Sequence, residues 1–450
     1  MKILIAAAVL AAAAVLCILA AINKKRHGRG FIMLLLFGLL MCSCFNLVIF
    51  KVEISDFKLG GGLFTIALFT SIYMLFIMLS RKRPGGKQEK SINFMITGLT
   101  LINIYLFSEP LFMKLYSTGS YSMYLFTYLN LELMLVLFLL LSALEYDVKS
   151  ITGVICLFSL LNGFVAVMQG ITGRLLVDFS SAGQQLTRLS IGTRVSGFIT
   201  GDNGGGNLGV ILFPVLLYNY KKNKGLFNLF LVAADSAFIF FTFTRIAYLA
   251  LAVELLIFSL SFFKPMSAKD MFKITFKVAA AGCAGIYLYA NYFSEAVYLF
   301  FIQRGDTQME RFMQFPKAVN AFLSSPILGT GHGQYNQYAL YKLGIFDNLV
   351  IHSQLLNILV EEGIIVFTIF CAFNIYLLVA LMKKFRNKAE QIYIIMLFAG
   401  NLICINFNPN QTYEINIYLY YFILFGFLYA GKGDSFDKNS SKKDLLQSTG

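Results

Sequence analysis

Apolar runs of roughly 20 residues recur along the chain, the length a helix needs to cross a hydrocarbon layer of about 30 Å. They fall at residues 3–22, 31–50, 61–80, 92–108, 121–143, 151–168, 207–220, 226–243, 246–263, 274–293, from Ile364 to the KKFRNK cluster, and at 391–407 and 415–430. The residues between them are few and mostly polar. Of all 450 residues 58% are hydrophobic and 13% charged, against about 25% charged in a soluble domain. The expected fold is an all-α polytopic membrane protein. It has about 12–13 transmembrane helices and a large extracytoplasmic loop carrying short helices. Residues 1–430 form a single transmembrane domain, with extracytoplasmic loops at 170–206 and 294–363 and a disordered cytoplasmic tail at 431–450.

The formal net charge is +14. In a soluble protein that excess would raise nucleic acid as a partner. Here the lysines sit in short clusters between apolar runs, the pattern that orients membrane proteins, so no nucleic acid is expected. The clusters are 24–29, 81–90, 221–224, 264–273, 383–388 and the tail. Threading the runs puts all of them on one side, the cytoplasm. Segment 170–206, the turn at Arg245 and segment 294–353 fall on the other. A re-entrant span would change the count and move the N-terminus across. The first run is followed, not preceded, by most of its positive charge, and no clear cleavage site appears. It is therefore an uncleaved helix and not a signal peptide. A multi-pass membrane protein is expected, with membrane lipids as surroundings.

The seven cysteines all lie inside apolar runs and no loop holds a pair, so neither a disulfide framework nor structural zinc is expected. Tryptophan is absent, which leaves Tyr and Phe as interfacial anchors.

The longest stretch that is clearly not a span is Arg304 to Gly363. It carries His332 and His352 of the three histidines, Arg304 and Arg311, and glycines at alternate positions 329, 331 and 333. With Arg188 and Arg194 in segment 170–206 and Arg245 at a hairpin tip, the extracytoplasmic face gathers arginines against the general charge bias. Arginine stays protonated and binds phosphate oxygens with a two-pronged fork. An anionic lipid head group of pyrophosphate geometry is one ligand that suits them. Headgroup anchoring, or ion pairs with Asp178, Asp202 and Asp306, is the plainer reading.

RVSGFITGDNGGGNLG, then FTRIAYLALAV, then SSPILGTGHGQY and HSQLLNILVEEGI follow one another in that order. Together they resemble the bacterial O-antigen ligase/polymerase superfamily over about residues 190–380. The family shows an Arg-x-x-Gly segment before a span and a Ser/Thr-Arg pair at a helix hairpin. A Pro-x-x-Gly-x-Gly turn follows, then a His-Asn-x-x-Leu helix ending Glu-x-Gly-Ile. Two positions depart from the pattern: Ser353 follows the histidine in place of Asn, and Asp202-Asn203 stands where Pro-Asn is common.

The resemblance implies metal-independent glycosyl transfer on the outer leaflet of a bacterial cytoplasmic (inner) membrane, with no cofactor. The donor is an oligosaccharide on a polyprenyl (undecaprenyl) diphosphate, the acceptor a glycan hydroxyl, and a chain-length regulator is an accessory partner. His352, Arg194 and Arg304 are the catalytic candidates; Arg245, Arg311, Arg188, Gly329, Gly331 and His332 are the substrate-binding ones. Diphosphate leaves without a protonating acid if its charge is neutralised, and histidine is the side chain suited to accept a hydroxyl proton near neutral pH. No paired carboxylates and no metal cluster are expected. For several of these residues a structural role is open. His352 precedes Ser353, a possible N-cap of a helix over 354–362; the glycines can serve only a tight turn; Glu361 and Glu362 can orient that helix or be solvated.

Asp235 and Glu254 lie equally far from the hairpin tip at Thr244-Arg245, which puts them at one depth on antiparallel helices. We expect a shared-proton hydrogen bond between them; the sharper alternative is a proton or ion site. That alternative belongs to a second class of function, a transporter or flippase of lipid-linked glycan. No internal repeat accompanies it, as transporters often show. Within the transferase class, repeat-unit polymerase for capsule or O-antigen polysaccharide is preferred to an O-antigen-type ligase, because nothing points to a lipid A acceptor in lipopolysaccharide.

Overall fold

The computed structural model of the chain describes residues 146–176, 185–189, 192–199, 201–260, 307–344, 351–385, 387–408 and 414–430, with scattered positions between 53 and 142. The runs at 3–22, 31–50, 61–80 and 274–293, most of 121–143, Arg304 and the tail lie outside the described residues. Within them the protein is mostly helical, as a polytopic membrane fold requires. The strand pairings among the described residues are short and antiparallel: Glu53–Ile54 with Phe57–Lys58, Arg188–Leu189 with Gly192–Thr193, and a single bridge between Arg174 and Gln185.

Helix α1 spans Val148–Thr172. Asp147 caps its start by accepting the Ser150 amide at 2.9 Å, and Gly173 ends it at φ 66°, a left-handed conformation that glycine adopts without a Cβ clash. Its 25 residues reach about 37 Å. Helix α2 (Asp202–Lys222) is the centre of the bundle. Leu208, Val210, Ile211, Leu212, Phe213, Val215 and Leu216 are all buried, so apolar side chains point inward on every face. Around it stand α1, α3 (Leu226–Phe241), α4 (Arg245–Leu260), α8 (Lys388–Ile405) and α9 (Glu414–Tyr429). Two helices, α5 (Thr307–Ser324) and α6 (Tyr335–Leu343), precede α7 (Gln354–Lys384). Helices α1, α7 and α8 are long and apolar enough to cross a membrane, and α3 and residues 416–429 are shorter apolar helices.

Two boundaries differ from expectation. The spans foreseen at 151–168 and 207–220 are longer helices, and α2 begins within the foreseen loop, at Asp202. Glycine is a poor helix former, but here Gly205, Gly206 and Gly209 permit contact that no side chain allows. A Cβ on Gly205 would stand 2.8 Å from the Ser196 carbonyl oxygen, one on Gly206 2.7 Å from Thr244 Cβ, and one on Gly209 2.3 Å from Ile239 Cγ1. Small residues that let backbones approach are a means of packing helices where lipid gives no hydrophobic drive. Helix α7 is broken between the foreseen helix 354–362 and the foreseen span from Ile364: Gly363 has φ 77° and ψ 178°, so residues 354–362 and 364–384 are two helical pieces.

The acid pair also departs from expectation. Asp235 and Glu254 are both buried, yet neither Glu254 oxygen accepts a hydrogen bond among the described residues. The shared-proton bond across the hairpin is therefore absent. The reason is packing: α4 lies chiefly along α8, and Glu254 Oε1 fills the space where a Cβ on Gly400 would sit 2.1 Å away.

Following the helices from end to end sorts the charges. Lys221, Lys222, Lys383 and Lys384 close α2 and α7, and Lys388 opens α8, all at one end of the bundle. There Lys222 pairs with Glu390 at 2.6 Å. At the other end lie the starts of α2, α4 and α7 and the residues just past α8.

Candidate functional site

At that second end a cavity of about 510 Å³ opens between five parts of the chain. The segment before α2 supplies Arg194; the α3–α4 turn supplies Thr244 and Arg245; α5 supplies Gln314; and the start of α7 supplies His352 and Ser353. Asn406 and Asn408, just past α8, complete the polar lining, and Phe243, Leu249, Phe315 and Phe407 give it an apolar wall. One pocket thus brings together Arg194, Arg245 and His352, residues 158 positions apart at the extremes.

The Arg194 loop is clamped from α1. Gln169, fully buried, accepts the Ser196 amide at 3.0 Å and the Gly197 amide at 2.8 Å, and its Nε2 donates to the Gly197 carbonyl at 2.9 Å. Asn162 accepts the Phe198 amide at 2.9 Å. The guanidinium is then aimed by the hairpin turn: Nε donates to the Thr242 carbonyl at 3.0 Å, and NH2 reaches Asn203 Oδ1 at 3.2 Å and Thr244 Oγ1 at 3.4 Å. The turn itself holds Phe243 at φ 51°, a left-handed conformation that side chains rarely adopt. Strained backbone of this kind persists where surrounding contacts over-determine it and concentrates at working sites. Arg245, half-buried, lines the cavity and makes no hydrogen bond or ion pair with any described residue.

His352 stands directly before the helix cap. Ser353 Oγ accepts the Leu356 amide at 3.2 Å and donates to Asn406 Oδ1 at 2.9 Å, while the His352 amide donates to Gln314 Oε1 at 3.2 Å. The residue is therefore both the position preceding a capped helix and part of the cavity wall. The N-terminal ends of α2, α4 and α7 meet here, each carrying partial positive charge. The C-terminal ends of α3 and α8 meet here too, so the helix dipoles partly cancel. The attraction for an anion rests on the two arginines.

Of the other sequence candidates, Arg188, Gly329, Gly331 and His332 do not line this cavity. Arg188 is exposed in the short strand and does not line the cavity. Arg311 belongs to the first turns of α5, and Arg304 lies outside the described residues. The Gly329–Gly331 turn packs on the break in α7. Its amides are used internally: Gly329 N–H donates to the Ser325 carbonyl at 2.9 Å, Thr330 to Val360 at 2.9 Å, Gly331 to Glu361 at 2.9 Å, and Ile364 returns one to Pro326 at 2.9 Å. None of these amides is left for a phosphate. Space decides the same way, since a Cβ on Gly329 would lie 2.1 Å from the Glu361 carbonyl oxygen. His332 is buried, with Nδ1 bonded to Glu362 Oε1 and 3.9 Å from Glu361 Oε2. Burial and the nearby Glu361 carboxylate push the Tyr335 hydroxyl up from its ordinary value. Paired carboxylates, not expected from the sequence, are thus present. The two glutamates adjoin in sequence, and only the folding back of the glycine turn brings a histidine to them.

The cavity's hairpin and the start of α7 fall in one stretch that has a known counterpart. Residues 229–371 match the O-antigen ligase family model. Members of the O-antigen ligase family are glycan-transferring membrane enzymes with lipid-linked glycan substrates. The matched stretch includes Arg245, the glycine turn and His352; Arg194 and Asn406–Asn408 come to the same cavity from outside it. No curated protein matches the chain. Sequence reasoning missed Gln169, Asn162, Gln314 and the asparagines after α8. Amide side chains in and just after an apolar run, as at Asn162 and Gln169, are a signal that could have found two of them.

Proposed function

We propose that this protein is a membrane glycosyltransferase that joins glycan from a polyprenyl diphosphate carrier to an acceptor sugar on the outer leaflet. It acts as a repeat-unit polymerase of a surface or O-antigen polysaccharide; ligation to a different acceptor is the alternative within the same chemistry. The observation that carries the reading is the convergence of Arg194, Arg245 and His352 on one cavity with an apolar wall. An amphiphile with a diphosphate head suits that lining. Its head meets two permanently protonated forks, and its isoprenoid chain leaves along Leu249, Phe315 and Phe407, which are partly exposed.

In this mechanism Arg194 and Arg245 neutralise the diphosphate as the glycosidic C–O bond breaks, the electrostatic stabilisation that such groups supply best when held in advance. Arg194 is held by hydrogen bonds to Thr242, Asn203 and Thr244. His352 accepts the proton of the attacking sugar hydroxyl, a step worth about 10²–10⁴ in rate. No metal takes part in the transfer. The position of the cavity at one end of the bundle, opposite the lysine-bearing turns, supports an extracytoplasmic active face. It also argues against a transporter, whose site lies near the midplane.

Purified protein in detergent, given a lipid-linked oligosaccharide, should lengthen it by whole repeat units with release of polyprenyl diphosphate. If lipid-linked substrate crosses a vesicle membrane and no new glycosidic bond forms, the transporter class is right instead.

A further inference from the structure

The cluster formed by His332, Glu361 and Glu362 has no part in the transfer chemistry above. Each residue offers one ligand atom, and these atoms all lie within 4.8 Å of one another. All three residues are buried, with His332 8%, Glu361 6% and Glu362 5% exposed. A third carboxylate adjoins them, since the fully buried Glu109 accepts the His332 amide through Oε1 at 2.9 Å. The cluster is not merely acidic, because an imidazole stands at its centre. A second feature points inward as well: Glu362 Oε2 is buried and accepts no hydrogen bond among the described residues. For Glu361 and Glu362, His332 is the one ion-pair partner among the described residues. One imidazolium cannot balance two buried carboxylates, let alone three. Such a site is stable only if protons or a cation make up the deficit.

We propose that His332, Glu361 and Glu362 bind one divalent transition-metal ion of the zinc–manganese class, and that the ion is structural. One imidazole nitrogen with carboxylate oxygens is the ligand set such ions accept, whereas magnesium and calcium favour all-oxygen shells. With ligand bonds of about 2.0–2.2 Å, the 3.9 Å between His332 Nδ1 and Glu361 Oε2 already suits two ligands of one ion, while the direct His332–Glu362 hydrogen bond must open to admit it. The ion would join two parts of the chain already in register. His332 follows the glycine turn, and the two glutamates immediately precede Gly363, where α7 breaks. Pinning the turn to the break fixes the direction of the helical piece that begins beside His352. Glu361 lies about 10 Å along that piece from its start, too far for the ion to touch the reacting atoms.

The test uses full-length protein carrying a tag without histidine, in nanodiscs. It is stripped with chelator, reloaded with Zn²⁺, Mn²⁺ or Co²⁺, dialysed, and analysed for metal by mass spectrometry. Wild type should retain about one ion per chain, show Co²⁺ visible absorption bands and unfold at higher temperature when loaded. Glu362→Gln and His332→Ala should lose the ion at least tenfold, while His352→Ala should keep it. Wild type that retains no stoichiometric ion and whose unfolding temperature ignores Zn²⁺ and Mn²⁺ overturns the proposal, whatever the variants do. So does retention that Glu362→Gln leaves unchanged, or that His352→Ala abolishes, since the ion would then sit elsewhere.

Discussion

Gln169 holds Gly197 by both ends of its amide, accepting the glycine's N–H at 2.8 Å and donating to its carbonyl at 2.9 Å. Gly197 itself has φ 62°, and a Cβ there would stand 2.2 Å from Asn162 Oδ1. A buried polar pair on a membrane helix therefore fixes the loop that presents Arg194, three residues before.

Replacing Gln169 by Leu should break this clamp while nearly keeping volume. It strands two buried amides and one carbonyl, each at roughly 1–3 kcal/mol. We expect a loss of thermal stability and at least a tenfold loss of polymer formed, measured on the same detergent preparation. Gln169→Glu keeps the acceptor and should lose less of both.

This clamp also marks the limit of what the sequence discloses. The spans at 226–243 and 246–263 are close to α3 and α4 because long apolar runs between charged turns leave little choice of boundary. Arg194, Arg245 and His352 were legible because polar groups that crowd one face of a membrane protein need a reason, and the structure gathers them in one cavity. The glycine turn was misleading. Alternating glycines suit a phosphate cradle and a close backbone contact equally well, and only the partners of their amides decide between them. Helix α2 was cut short for a related reason. A glycine run weakens local helix propensity, while its benefit lies in contacts with Ser196, Thr244 and Ile239, which the sequence does not place nearby.

His352→Ala should cripple chain growth by about 10²–10⁴ while leaving binding of the lipid-linked donor nearly intact. The wild-type rate should fall as the medium is acidified, since a protonated imidazole accepts no proton. That acid limb should disappear from the residual activity of the variant. Rates and pH profiles that match wild type would assign His352 to the helix start alone.

The two arginines should respond differently to lysine. Arg194 uses its fork to hold Thr242, Asn203 and Thr244, so Arg194→Lys keeps the charge but frees the hairpin turn, and both donor binding and turnover should fall. Arg245 has no described partner to lose. Arg245→Lys should retain most donor binding, and Arg245→Ala should weaken it at least tenfold. Titrating the lipid-linked donor against each variant separates the cases; equal losses for the two lysine variants would contradict the division of roles.

The orientation of the bundle can be read with single cysteines in a background lacking the native ones. Tyr341, on α6, and Lys224, in the α2–α3 turn, are exposed and lie outside the long helices. In intact cells an impermeant thiol reagent should label Tyr341→Cys and spare Lys224→Cys until the membrane is opened. The reverse pattern would put the cavity in the cytoplasm and remove the outer-leaflet reaction.

The glycine contact between α2 and α3 gives a test that depends on geometry alone. Gly209→Ala places a methyl 2.3 Å from Ile239 Cγ1, closer than any real contact, so α3 must move and carry the Ile239 side chain with it. Overpacking of this kind costs about 1–3 kcal/mol. Because α3 ends in the turn that holds Thr242 and Phe243, its displacement should also loosen Arg194 and reduce activity more than stability alone explains. Ile239→Ala empties the space into which the new methyl points. The double variant Gly209→Ala with Ile239→Ala should therefore be more stable and more active than the sum of the two single changes allows, with a coupling on the order of 1 kcal/mol or more. Strict additivity in the unfolding temperatures would mean that the two helices do not meet at this point.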